Sequence, residues 1–270
     1  MVYDLHVHTT DSDGIYSRLE LLEKAHKLGM QYISFTDHDY ISHEDVALKY
    51  KTKYGKCDVE IIEGTEFTVS DYNYMHILGY DIKKTKIIND ALEKIKNQNI
   101  QLCNRLIKNL NDYYNMNLDL EKYSQYRVTK SLVRKMIIDN GYASNYLEAG
   151  ELYTGPNSKF YEKTLALNLD TIIDLVKKSD GLLVLAHPIT LGLDNDTLDR
   201  LIFKLVEKGL DGIEIYNASK NALNQIKYYT DLASKYNLLT SCGSDFHEDR
   251  HTLGISNNMS NKLIKLIKER

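Results

Sequence analysis

Val2-Tyr3-Asp4-Leu5-His6-Val7-His8 opens the chain, and its reading decides the fold. The run is short and apolar enough for a strand, and it ends on two imidazoles separated by one residue. Alternate strand residues point the same way, with α-carbons roughly 6.6 Å apart at ~3.3 Å rise per residue. Both rings can therefore reach one cation at about 2.0–2.1 Å. Near the other end, Gly243-Ser244-Asp245-Phe246-His247 repeats the spacing with a carboxylate in place of one ring. One such pair arises easily by chance. Two pairs, on the first and last strands of a series, weigh more, because those strands become neighbours if the sheet closes into a barrel.

Between the two pairs, short apolar runs alternate with helical patterns, which marks βα units around a mainly parallel sheet. Ser17-Arg18-Leu19-Glu20 forms a capping box that opens a helix ending near Gly29. Tyr32 to Thr36 is the next strand, ending at Asp37-His38-Asp39, and Ser42 is expected to cap the helix that follows to about Tyr54. Val59 to Ile62 with Thr65 to Val69 forms one extended stretch, and Met75 to Ile82 another. From Lys86 the period turns helical, with Ile87, Leu92, Ile95, Leu102, Leu106 and Leu110 near the 3.6-residue spacing. Further helix is expected over Thr129–Asn140 and Ser144–Leu152. The βα alternation then resumes with strands Leu182–Ala186, Gly212–Tyr216 and Leu238–Ser241, interleaved with helices Ile172–Lys178, 196–209 and 221–236, and helix Asn261–Arg270 closes the chain. Seven candidate strands predict an α/β barrel or barrel-like fold, with residues 1–85 and 164–270 forming the barrel and 86–163 an inserted helical subdomain.

Composition narrows the class. A length of 270 residues and 43% hydrophobic content suit a globular enzyme with a substantial core. No apolar run approaches the roughly 20 residues that span a bilayer, and Met1-Val2-Tyr3-Asp4 shows no signal-peptide core. Cys57, Cys103 and Cys242 are scattered, which suits a reducing, cytoplasmic setting without a disulfide framework. A net charge of −4 argues against a broad basic face for an extended nucleic-acid duplex. A phosphorylated substrate would need positive charge supplied locally.

Of the 9 histidines, His6, His8, His38, His76, His187 and His247 fall within or just beyond predicted strands, where barrel enzymes carry their chemistry. His26, His43 and His251 do not. Asp13, in Asp11-Ser12-Asp13-Gly14, is either a further ligand or part of a turn. His38 between Asp37 and Asp39 is a ligand or belongs to a helix-capping loop. Glu66 in Gly64-Thr65-Glu66-Phe67 stands mid-strand, where an unpaired charge is costly, and Glu63 is the alternative carboxylate. His76 is a ligand or an edge residue, and His187, before Pro188, a ligand or a satisfied core histidine. Three carboxylates among these six neutral imidazoles carry −3, so three divalent ions would leave about +3 and two about +1. Either balance favours an anionic phosphate ester. Nitrogen and oxygen donors without thiolate point to Mn²⁺, Zn²⁺ or Fe²⁺, ions that acidify water and neutralise phosphoryl oxygens. Arg127 and Arg134, with Lys159 behind them, are the candidates for gripping substrate phosphate. Arg18 and Arg105 are expected on solvated helix faces. Asp37, Asp39 and a metal-bound water are the candidate proton donors.

The ordered set His6-x-His8, Asp13-Gly14, Asp37-His38-Asp39, Gly64-x-Glu66, His76, Ala186-His187-Pro188 and Asp245-x-His247 resembles the PHP (polymerase and histidinol phosphatase) family over nearly the whole chain apart from the insertion. The resemblance implies a distorted seven-stranded barrel and a trinuclear metal site. By that likeness His6, His8, Glu66 and Asp245 hold one ion. Glu66 bridges to a second held by His76 and His187, and Asp13, His38 and His247 hold a third. The insertion is similar to the helical lid of small bacterial members acting on nucleoside monophosphates, nucleoside 3′,5′-bisphosphates or short 5′-phosphorylated RNA. Where that group shows Arg-Pro-His, this chain reads Arg127-Val128-Thr129.

The expected activity is metal-dependent hydrolysis of a phosphomonoester on a small nucleotide-like substrate. Histidinol-phosphate phosphatase is the alternative within the class. A non-catalytic metal-binding interaction module would be expected to lack some of the ligands, and an amidohydrolase of related barrel would be expected to carry a strand lysine.

Overall fold

The structure, a computed structural model, describes residues 1–42, 45–218 and 222–270, so His43 and Asn221 lie outside the described residues. Eight strands form one sheet in the order β7-β6-β5-β4-β3-β2-β1-β8. They are β1 Val2–Val7, β2 Tyr32–Phe35, β3 Glu60–Thr68, β4 His76–Tyr80, β5 Leu182–Leu185, β6 Gly212–Asn217, β7 Leu239–Gly243 and β8 Ile255–Ser256. The helices are α1 Arg18–Lys27, α2 Val46–Tyr54, α3 Lys86–Tyr114, α4 Lys130–Asp139, α5 Tyr146–Ala149, α6 Leu169–Lys178, α7 Asn195–Glu207, α8 Ile226–Lys235 and α9 Asn261–Glu269. The seven expected strands are all present, and β8 adds two residues antiparallel to β1.

Strand direction follows the connections. β1, β2 and β3 are parallel, as are β5, β6 and β7, and a helix lies in each of the four crossovers between them. The link from Val69 to Met75 is too short for a parallel crossover, which needs a dozen or more residues. β4 therefore returns antiparallel to β3 and pairs antiparallel with β5 as well. Its first residue, His76, consequently stands at the same end of the barrel as the last residues of the parallel strands.

The sheet all but closes where β7 meets β1. The amide of Asp245 donates to His6 O at 2.8 Å and that of His8 to Phe246 O at 2.9 Å. The fully buried carboxylate of Asp4 stitches the seam by accepting the amides of Ser244 (2.9 Å), Gly254 (2.9 Å) and His6 (3.3 Å). Burial pushes its pKa up to about 6 against those bonds. Gly243 permits the approach, for a Cβ there would fall 2.2 Å from His6 Cβ.

Three apolar clusters hold the elements. The largest fills and surrounds the barrel, with Leu5, Phe67, Ile77, Leu183 and Ile213 among its members, and takes in Ile88 and Leu92 from the start of α3. A second joins α1 and α2 to β1 and β2 through Leu21, Leu22, Ile33, Phe35 and Tyr50. The third belongs to the helical segment alone, built from Leu102, Leu106, Leu110, Leu132, Val133 and Met136. The capping box at Ser17 is present, with Glu20 as its return partner. At α2 the expected cap moves: Asp45, not Ser42, accepts the Leu48 amide at 2.9 Å. Ser42 is buried ahead of the helix, and the aspartate alone stands at the right offset from the first turn.

Gly243→Ala should destabilise the protein by about 2–3 kcal/mol, because the added methyl must displace the β1 backbone; chemical denaturation of the two proteins checks this.

Candidate metal centre

Each of the nine expected ligands reaches the mouth of the barrel. His6 and His8 come from the end of β1, Asp13 from the loop after it, His38 from beyond β2, Glu66 from β3 and His76 from the start of β4. His187 follows β5, and Asp245 and His247 follow β7. Donor atoms of His6, His8, Glu66 and Asp245 lie within 4.8 Å of one another, as do those of His8, Asp13, His38 and His247, and those of His38, Glu66 and His76. His187 Nε2 is 2.8 Å from Glu66 Oε1. Glu63, the alternative to Glu66, instead faces outward to Lys84 at 3.5 Å.

The spacing suits a cation. His6 Nε2 stands 3.4 Å from both Glu66 Oε2 and Asp245 Oδ1, and His8 Nε2 stands 3.2 and 3.3 Å from the same atoms. Four donors tetrahedrally placed about 2.0–2.1 Å from one ion would be about 3.3–3.4 Å apart. His6 Nε2, His8 Nε2, Asp13 Oδ1 and His38 Nδ1 are all buried without a hydrogen-bond partner, a state that buried polar atoms rarely tolerate. Their donor chemistry fits divalent ions of the Mn²⁺, Zn²⁺ and Fe²⁺ type.

Charge points the same way. Burial works against ionising Glu66, yet the surrounding imidazoles, His76, His6 and His38 foremost, hold it well below the usual carboxylate range. Asp13 and Asp245 are depressed likewise. His6 is raised by Glu66, Glu214 and Asp245 against its burial, and His8 by Asp13, Asp245 and Glu66. Burial takes His38 down to about 4, so that ring stays neutral. The carboxylates demand compensating positive charge, which protons supply when metal does not.

Two clefts flank the cluster. One, of about 220 Å³, is lined by His38, Asp39, Lys96, Asn99, Arg127 and Lys130 among others. The other, of about 300 Å³, is lined by Asp13, Ser131, Arg134, Tyr146, His247 and Arg250 among others. A larger one of about 760 Å³, between α2 and the start of β3, is lined by Glu63 but by none of the nine expected ligands. Arg134 is held for display into its cleft: Nε donates to buried Thr154 Oγ1 at 2.7 Å, and the guanidinium lies against Gly150. Arg127 is more engaged. Its Nη1 donates to Asp11 O and His38 O, both at 3.3 Å, and its guanidinium stacks over Tyr40. It clasps two loops that carry candidate ligands. Lys159 is not brought to the cluster. It is exposed, stacks on Tyr113 of α3 and lines neither cleft.

The two aspartates beside His38 part company. Asp37 is fully buried and accepts from Thr9 N (2.7 Å), Thr9 Oγ1, Ser12 Oγ (2.8 Å) and Arg18 Nη2 (3.0 Å). It braces the loop after β1 and lines neither of the two clefts. Asp39 has positive φ, lines the cleft, accepts the Thr68 amide at 3.1 Å and is pushed up to about 6 by burial. Arg18, expected on a solvated face, is only 4% exposed and forks between Asp37 and Asp11 at 3.0 Å each. The loop after β1 folds over α1, which helical periodicity alone does not reveal. Arg105 is exposed as expected, on Glu162.

Donors of this kind around a deficit of positive charge, at the open end of such a barrel, are the equipment of phosphoester hydrolysis with metal ions, and the protein is of that class: a metal-dependent phosphoesterase. It belongs to the PHP domain family, whose profile matches residues 4–239. Among its relatives is a 5′-3′ exoribonuclease of Haemophilus influenzae, 26% identical over 91% of this chain and 89% of the relative. Another is a 3′,5′-nucleoside bisphosphate phosphatase of Chromobacterium violaceum, 23% identical over 90% of this chain and 86% of the relative. In fold the chain is similar to a candidate metal-dependent phosphoesterase from Bifidobacterium adolescentis, with TM-score 0.79, 23% identity and coverage of 98% and 94% of the two chains. Among the described residues no helix is long and apolar enough to cross a membrane.

One residue of the centre escapes the sequence reading. Glu214, mid-strand in Gly212-Ile213-Glu214-Ile215-Tyr216, bonds to His6. It carries the same signal as Glu66, a charge within an apolar run.

Zn²⁺ or Mn²⁺ at about a hundredfold its dissociation constant should raise the unfolding free energy by about 2.7 kcal/mol, and a chelator should reverse the gain. His8 stands in two of the donor groups, so elemental analysis should find less metal per chain in His8→Ala than in the wild type.

Proposed function

We propose that the protein hydrolyses phosphomonoesters of small nucleotide-like substrates: a nucleoside monophosphate, a nucleoside 3′,5′-bisphosphate or the 5′-phosphorylated end of a short RNA. The observation that carries this reading is the group of partnerless imidazole and carboxylate atoms set between two cation-lined clefts. By its name the bisphosphate phosphatase removes phosphate from a nucleotide, which supports the monoester reading, and the exoribonuclease by its name acts on RNA in the 5′-3′ direction, which supports a nucleotide-like substrate.

The nine expected residues would hold three divalent ions: one at His6, His8, Glu66 and Asp245, one at Glu66, His76 and His187, and one at Asp13, His38 and His247. When bound, such ions supply Lewis acidity, which neutralises phosphoryl oxygens and acidifies water. The protein's own groups do the rest. Arg134, anchored at Nε, turns its remaining N–H groups to phosphate oxygens. Arg127 keeps the Asp11 and His38 loops in register, and Asp39, at the edge of the other cleft, gives its carboxyl proton to the leaving oxygen. Residues 86–163 serve as a lid. Their docking on the loop after β1, through Arg127 N to Thr10 O (3.1 Å) and Thr129 Oγ1 to Ser12 O (3.3 Å), supports that role.

Purified protein supplied with Mn²⁺ should release inorganic phosphate from members of a mononucleotide panel, and His8→Ala and Asp245→Ala should abolish the release. No turnover of any phosphoester would sink the proposal. Arg134→Ala should raise KM about 10- to 100-fold, the loss of a charge-assisted bond of about 1.5–3 kcal/mol. Asp39→Asn should slow a nucleotide far more than p-nitrophenyl phosphate, whose leaving group needs no proton; equal slowing of both would remove Asp39 from that role.

A further inference from the structure

Glu214 stands in the middle of β6, 1% exposed, and the proposed reaction gives it no part. Both of its oxygens are engaged. Oε1 lies 3.0 Å from His6 Nδ1. Oε2 accepts the backbone amide of His187 at 2.7 Å and the side-chain amide of Asn217 at 3.0 Å. The far edge of the His6 ring, Nε2, is buried without a hydrogen-bond partner and faces Glu66 and Asp245. A carboxylate can only accept, so the His6 nitrogen facing it must carry a hydrogen, and Nε2 is the nitrogen left to give up its proton and offer a lone pair when a cation binds. His187, tied to the other oxygen, has φ of +23°, a backbone state that a residue with a Cβ enters only when held there.

We propose that Glu214 is a positioning residue of the metal centre. Through Oε1 it holds His6 in the Nδ1–H form with Nε2 aimed at Glu66 and Asp245, and through Oε2 it holds the turned backbone of His187. Both donors are thereby set before a cation arrives. The inference rests on the reading of His6 and His187 as ligands. Buried carboxylates behind ligand imidazoles tune affinity in this way generally.

Glu214→Gln separates the idea from a packing role, because the two side chains have the same shape. The glutamine amide has two possible orientations. With its NH₂ toward His187 N–H and Asn217, donor meets donor, and a backbone N–H has no other form. With its NH₂ toward His6, the ring must accept at Nδ1 and move its hydrogen to Nε2, which blocks the proposed donor. The ring can change and the backbone cannot, so the second orientation prevails.

The test is Zn²⁺ binding to the full chain by calorimetry, with ¹⁵N ring spectra of the histidines and thermal unfolding of the metal-free proteins. Wild-type protein should bind Zn²⁺ with the His6 hydrogen on Nδ1. Glu214→Gln should unfold within a few degrees of wild type when metal-free, yet bind Zn²⁺ about tenfold more weakly or worse. Affinity within twofold of wild type would overturn the inference. So would a hydrogen on Nε2 of His6 in the zinc-loaded wild type, a result that stands even if the variant fails to fold. Wild-type protein that takes up no Zn²⁺ would overturn the reading of the cluster itself.

Discussion

Five imidazoles converge on the carboxylate of Glu66. His6, His8 and His38 approach Oε2 at 3.4, 3.2 and 3.3 Å, while His76 and His187 approach Oε1 at 2.9 and 2.8 Å. These rings come from four separate strand ends or strand-end loops, so the group assembles only when the barrel has formed. A buried charge among neutral rings would be costly, and the arrangement makes sense when positive charge enters with it. The closure of β1 on β7, the reversal of β4 and the strained backbone at His187 all serve to bring donors to this one side chain.

The buried carboxylates illustrate how surroundings divide labour among like groups. Asp4 and Asp37 are enclosed by amide, hydroxyl and guanidinium donors. They are satisfied without metal and act as struts, one for the barrel seam and one for the loop after β1. Glu66, Asp13 and Asp245 face imidazole nitrogens instead, several of which are left without partners. Glu214 falls between the two sets, with one oxygen on a ring and the other on a main-chain amide.

Much of this was legible in the sequence where a local rule operates. β1 runs over the residues that its short apolar run indicates, Ser17 caps α1, and a mid-strand charge singles out Glu66. What escaped depends on contacts between distant segments. An apolar run carries no direction, so the reversal of β4 shows only as the brevity of the link from Val69 to Met75. Arg18 looks solvated on a helical projection until the loop bearing Asp11 and the strand end bearing Asp37 fold over it. Arg127 is marked in sequence only as a phosphate candidate, and the fold adds what sequence could not show: Nη1 bonds two backbone carbonyls and the guanidinium lies over Tyr40, at the edge of a cleft.

The reversal of β4 also governs how the helical segment is mounted. Tyr80 ends that strand at the floor of the barrel, and α3 starts there. Its 29 residues make a rod about 43 Å long with no glycine or proline within it. The rod is rooted in the barrel by Ile88 and Leu92, passes the rim near Asn99 and carries the third apolar cluster from Leu102 onward. One side of the cap is thus borne on a stiff mast that climbs the outer wall, and the other returns through the non-helical residues between Gly155 and Asn168. Any displacement of this segment must therefore tilt or bend the long helix about its foot.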